Sequence, residues 1–172
     1  MENKLFFPRH LSTGCSKTGY DPITLILSDL KFSRNPDFCR RQYLLKKHCI
    51  FTYRFLKATG QLENTLINYY EANSHFSFLE ETSYQFLTWL SKNTIGLTSV
   101  IARFELGLTI INKDEIYEDK IAWPCDPLPL IYGLIQGNLS RESIRSGEFS
   151  MVLSDKIVGG FDVEYCLGQN DL

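Results

Sequence analysis

Apolar residues recur at three- and four-residue intervals from Leu97 to Ile111. Leu97, Val100, Ile101, Phe104, Leu108 and Ile111 fall in one stripe, with Arg103 and Glu105 beside it, the pattern of an amphipathic helix. This is the strongest periodic signal in the chain. Ahead of it, Ser77 and Glu80 stand at capping-box spacing and predict a helix from near Phe78. That helix carries Leu79, Thr82, Phe86, Leu87, Trp89 and Leu90 on one side, and Ser91-Lys92-Asn93 interrupts it. From Asp37 to Ala58 no Pro or Gly intervenes, which predicts one long helix ending before Gly60. Its apolar side is broad, with Leu45, Cys49 and Leu56 along one part and Leu44, Phe51 and Phe55 along another. A helix over Leu62 to Ala72 carries Leu62, Leu66, Tyr69 and Tyr70 and ends at Asn73-Ser74. Asp21-Pro22 has the capping residue and first-turn proline of a helix start, here over Ile23 to Leu30, and Asn35-Pro36 repeats the signal.

The last third changes character. Trp123-Pro-Cys-Asp-Pro-Leu-Pro129 is too rich in proline to continue a helix and reads as a boundary or rigid connector. Leu130 to Gln136 reads as a short helix ending at Gly137. Phe161, Val163 and Tyr165 alternate with Asp162 and Glu164, the period of a half-buried strand. Phe149 to Val158 is also β-prone, and the reversal falls at Ser154-Asp155 or at Gly159-Gly160. The expected fold class is α+β, a mainly helical body with a small C-terminal β-hairpin unit. Its expected divisions are an irregular N-terminal arm over residues 1–20, a helical domain over 21–122, and a connector with a small α/β unit over 123–172.

Composition narrows the function classes. The chain has 172 residues, 44% apolar content and a net charge of −2, with a pI near 5.9. Bulk electrostatics therefore give no reason to expect nucleic acid or an anionic membrane as the main partner. No apolar run reaches the length of a membrane span and the N-terminus lacks a signal-peptide core, so a cytoplasmic location is expected. Five cysteines at wide, irregular spacing (Cys15, Cys39, Cys49, Cys125 and Cys166) resemble neither a disulfide framework nor a zinc site and are expected to be reduced.

No catalytic set stands out. Gly14-Cys-Ser-Lys17-Thr18 ends like a phosphate loop but lacks the first glycine and the residue expected before the lysine, and reads as part of a polar arm. His48 and Cys49 are neighbours on a helix and diverge, and His10 and His75 have no local signature. Glu80-Glu81 and the set Glu115, Glu118 and Asp119 read as caps and solvated surface. Positive charge, by contrast, is concentrated. Eight Lys/Arg lie between Lys31 and Lys57 against the single acid Asp37. Arg40, Lys47 and Arg54, spaced by seven with Lys46 and Lys57 near them, form the first candidate binding surface, suited to an acidic peptide and, with less support from the moderate charge, to a nucleic-acid backbone, while a solvated helix face suits the pattern equally well. The second is the terminal strand: Phe161, Val163 and Tyr165 could present an edge to an extended peptide, while Asp162 and Glu164 suit edge protection equally well.

Phe86-Leu-Thr-Trp89-Leu90 and, in the next helix, Ala102-Arg103-Phe104-Glu105 together resemble a family of bacterial proteins described as DNA-binding, similar in role to methanobactin-type partner proteins. The first segment matches a Phe-x-x-Phe/Trp-Leu turn and the second an Ala-Arg-x-Glu helix. The likeness covers about forty residues well; the first sixty residues and the crowded prolines depart from it, so no functional residue is carried across. The resemblance implies a non-catalytic subunit that binds an iron-dependent, peptide-modifying oxidase and helps recruit its ribosomal precursor peptide. It implies no cofactor in this chain, the iron belonging to the partner enzyme. Two other readings remain open: a DNA-binding regulator using the Arg40/Lys47/Arg54 face, and a small enzyme or cofactor binder with Cys39 or Cys125 as a reactive thiol.

Overall fold

The computed structural model describes residues 36–73, 82–113, 115–139 and 145–165. The expected arm over 1–20, the helix over Ile23 to Leu30 and the Ser77/Glu80 capping box lie outside them. The chain divides into two compact units, Met1–Arg40 and Arg41–Leu172. Only the opening turn of a helix is described in the first unit, and the remaining elements belong to the second.

The fold is α+β. Among the described residues, helices α1 (Pro36–His48), α2 (Ile50–Ala58), α3 (Leu62–Ala72), α4 (Thr82–Asn93) and α5 (Leu97–Ile111) precede strand β1 (Glu118–Cys125). Helix α6 (Pro127–Gln136) and strands β2 (Ser146–Ser154) and β3 (Phe161–Tyr165) come after it. The strands form one antiparallel sheet in the order β1-β2-β3, so the expected hairpin is real but carries a third strand on its far side.

That extra strand is the main correction to the C-terminal third. Trp123-Pro-Cys-Asp-Pro-Leu-Pro129 is the end of β1 and the first turn of α6, not a connector. Pro124 is tolerated because β1 is an edge strand with an irregular register between Trp123 and Cys125, where a missing donor breaks no central ladder. Ile121, Trp123 and Cys125 point inward and are buried, an alternation the prolines disguise. The reversal between β2 and β3 uses both candidate signals. Ile157 N–H donates to Ser154 and Gly160 N–H to Ile157, with Gly159 and Gly160 both at positive φ.

Helix α5 lies on the inner face of the sheet. Phe104 is fully buried and meets Trp123 at 5.8 Å, Phe161 at 5.4 Å and Phe51 at 5.5 Å, all edge-on, the geometry aromatic quadrupoles favour. Ile101, Met151, Leu153, Leu130 and Leu134 complete this core, and Leu97, Val100, Leu108 and Ile111 pack against it. The six-residue stripe read from periodicity is therefore the seam between helix and sheet. On the other side of α5, Tyr69 of α3 contacts Phe86 at 4.9 Å and Trp89 at 5.4 Å on α4. Helix α4 runs on through the predicted Ser91–Asn93 interruption. The chain turns at Gly96 instead, whose φ of 67° and ψ of −148° suit only a residue without Cβ.

The long helix expected over Asp37 to Ala58 is two helices. Cys49, at φ −123° and ψ 59°, separates α1 from α2 and offers no side-chain cap. The cap comes from α5: Glu105 Oε1 accepts from Phe51 N–H at 3.0 Å and Oε2 from Thr52 N–H at 2.9 Å. A buried carboxylate thus takes amides that the bend deprives of their i−4 carbonyls. Glu105, read as a polar neighbour of the apolar stripe, is only 5% exposed.

Candidate functional site

The bend at Cys49 shapes a cleft of about 420 Å³ between α1–α2 and the C-terminal end of α6, within the size range of pockets that hold small ligands or a few side chains. Lys46 lies before the bend, with Tyr53, Arg54 and Lys57 after it, and all four line the cleft. Tyr53, Arg54 and Lys57, with Lys57 four and three residues after the other two, share one side of α2, and Lys46 reaches the same cleft from α1. Across from them stand Gly133, Leu134, Gly137 and Leu139. Among the described residues, the lining includes three cations and no carboxylate.

Local signals set the α6 wall. Asp126 caps the helix, its side chain accepting from Leu128 N–H at 3.1 Å, with Pro127 at the first helical position. Gly137 closes the helix in the left-handed conformation, φ 70°, and Asn138 N–H returns to the Gly133 carbonyl at 2.9 Å, the backbone closure typical of such ends. A Cβ on Gly133 would press on that loop, 3.2 Å from the Asn138 oxygen.

Two carbonyls at this end are taken from outside. Arg54 Nη1 donates to Leu134 O at 2.7 Å and also to Ile135 O. A cation at a helix C-terminus is favoured by the partial negative charge of the exposed carbonyls. The contact holds the guanidinium in place, with its Nε and Nη2 edge meeting no acceptor among the described residues. Neither Lys46 nor Lys57 forms an ion pair with a carboxylate among the described residues.

The sequence-derived residues fare differently. Lys47 is exposed on the last turn of α1 but does not line the cleft, whereas Arg54 does. Arg40 is exposed and belongs to the first unit. The cleft therefore gathers Lys46, Arg54 and Lys57, and the seven-residue spacing that singled out Arg40, Lys47 and Arg54 assumed an unbroken helix. Tyr53, Gly133 and Gly137 were missed as cleft residues. The Asp126-Pro127 pair could have drawn attention to α6.

On β3, Phe161 and Val163 pack into the core and Tyr165 is 54% exposed, its ring 5.8 Å from Phe149. Asp162 Oδ1 accepts from Val163 N–H at 2.8 Å, so a side chain already occupies that backbone donor, as edge protection requires. Glu164 pairs with Lys120 across β2 at 2.6 Å.

Of the thiols considered for reactivity, Cys125 is buried, and burial, with Asp126 beside it, pushes its pKa up to about 11. Cys39 is exposed. Cys49 is buried, its pKa raised by burial and then by Glu105, and Sγ donates to the Ser83 carbonyl at 3.8 Å. Raised values disfavour the thiolate, the nucleophilic form. Ala102-Arg103-Phe104-Glu105 is occupied by packing. Ala102 is buried, Arg103 Nε donates to Asp119 at 2.7 Å, and Glu105 caps α2. No group of three or more metal-ligating side chains occurs among the described residues, and no described helix is long and apolar enough to cross a membrane.

Comparison with family models, with curated proteins and with solved structures finds no match for this chain.

Proposed function

We propose that the protein is a non-catalytic partner subunit that binds an acidic segment of a ribosomal precursor peptide and delivers it to an iron-dependent, peptide-modifying oxidase. The observation that carries the peptide-binding part is the cleft between α1–α2 and α6, with Lys46, Arg54 and Lys57 on its walls and no acidic side chain among its described lining residues. Leader-type binding of this kind raises the effective concentration of a substrate at a second protein without chemistry of its own. For the protein partner, Leu128, Tyr132 and Ile135 supply an exposed apolar stripe on α6, at 41%, 66% and 50% exposure, as partner-facing surfaces do. The oxidase, and with it the iron, enters from the sequence resemblance; in this reading the chain holds no cofactor itself.

Co-expression with an iron-oxidase-like protein encoded beside it, followed by purification through a tag on this chain, tests the reading. Retention of the iron protein at low salt is the expected result, with Tyr132→Lys weakening it. Recovery of this chain alone at micromolar concentration contradicts it. The same cations favour a second reading, a nucleic-acid-binding regulator, against which the net charge of −2 weighs. That reading predicts affinity for duplex DNA falling steeply with salt.

A further inference from the structure

We infer that the cleft recognises a carboxylate side chain of an acidic peptide through the outer edge of the Arg54 guanidinium, with an apolar neighbour of that carboxylate seated on Leu134 and Leu139. This rests on the peptide-binding part of the proposed function and names the chemistry the site reads.

A guanidinium carries five N–H donors in a planar fork. In Arg54 the Nη1 hydrogens are directed at the Leu134 and Ile135 carbonyls. The opposite edge, Nε with Nη2, keeps the parallel donor pair that matches the two oxygens of a carboxylate. The α6 carbonyls fix the plane of the group before a ligand arrives, so less conformational entropy is lost when it binds. Lys46 and Lys57 line the same cleft as point charges, one from each side of the Cys49 bend. The remaining described lining is apolar or small: the Tyr53 ring, Ala58, Leu134 and Leu139, with Gly133 and Gly137. A phosphodiester backbone makes no use of that apolar lining. An acidic peptide uses both parts, charge at the fork and an aliphatic side chain beneath it.

The test is fluorescence anisotropy with the full chain and three labelled probes: an acetylated, amidated peptide of alternating Glu and Leu, its Gln-for-Glu counterpart, and a twelve-nucleotide single-stranded DNA. The Glu peptide should bind at least tenfold more tightly than the Gln peptide and more tightly than the DNA. Arg54→Lys keeps the charge and removes the fork, and should cut the Glu-over-Gln preference at least fivefold. A purely structural role at the end of α6 would weaken both peptides together and leave the ratio unchanged. Lys46→Gln with Lys57→Gln touches no backbone cap and provides an independent arm, expected to weaken the Glu peptide and flatten its salt dependence. Equal affinity for the two peptides, tighter binding of the DNA, or an unchanged ratio in both variants overturns the inference. Retention of the oxidase by a tagged chain that shows no Glu preference overturns this assignment while leaving the partner reading standing; Glu preference without oxidase retention supports the assignment and removes the partner.

Discussion

The two helices that frame the cleft begin in opposite ways. Helix α6 is specified by its own neighbourhood: Asp126 caps it, Pro127 opens it and Gly137 ends it. Helix α2 has no local side-chain cap at its start. Its first amides are held by Glu105, more than fifty residues further along the chain. A locally capped helix forms its ends wherever its sequence goes, whereas α2 acquires its start only when α5 has packed beside it. One wall of the cleft is thus local chemistry, and the other depends on tertiary contact.

The largest effect should come from breaking the remote cap. Glu105→Ala leaves two amides, one of them fully buried, without an acceptor, and should cost about 3 kcal/mol, measured by urea unfolding. The local ends of α6 should be cheaper to lose. Gly137→Ala meets no atom within 4 Å, so its cost is the left-handed backbone alone, about 1 kcal/mol. Asp126→Ala should likewise cost about 1 kcal/mol in the same assay. If Asp126→Ala proves as damaging as Glu105→Ala, the contrast between the two helices fails.

A smaller effect sharpens the comparison through pH. Burial raises the Glu105 pKa above its ordinary value, outweighing the amides that lower it. With the folded value above the unfolded one, the proton binds more tightly to the folded state. The associated stability is complete below the unfolded value and is lost as pH rises through the folded one. Glu105→Gln does not titrate, so its own contribution is constant with pH. Its deficit against the parent should be greatest in acid and shrink as pH rises from the ordinary carboxylate range towards neutrality, read from unfolding midpoints at several pH values. A gap that widens with pH contradicts this assignment.

Legibility in the sequence divides along the same line. The α5 stripe, the span of α3 and the Gly137 end of α6 rest on periodicity and local stop signals, and they stand in the structure. The first turn of α6 was just as legible: Asp126-Pro127 repeats the signal recognised at Asp21-Pro22, but the surrounding prolines hid it. Strand β1 was obscured because Pro124 argues against a strand unless its edge position is known, and edge position is a property of the sheet. The bend at Cys49 had no local signal. No Pro or Gly marks it, and its stabilising partner, Glu105, looks like an ordinary polar residue beside an apolar stripe. Because the bend was invisible, so was the cleft. The concentration of positive charge between Lys31 and Lys57 was plain, but which cations converge depends on where the helix breaks, so a straight-helix spacing favoured Lys47 where Lys46 lines the cleft.

The cleft can be tested most directly by titrating the alternating Glu-Leu peptide into the isotopically labelled protein and monitoring backbone amide resonances. Binding should shift the amides of Tyr53 to Ala58 together with Gly133 to Leu139 and leave those of α3 and α4 in place. Shifts confined to the β3 edge, or a spectrum that does not change at millimolar peptide, would contradict the account.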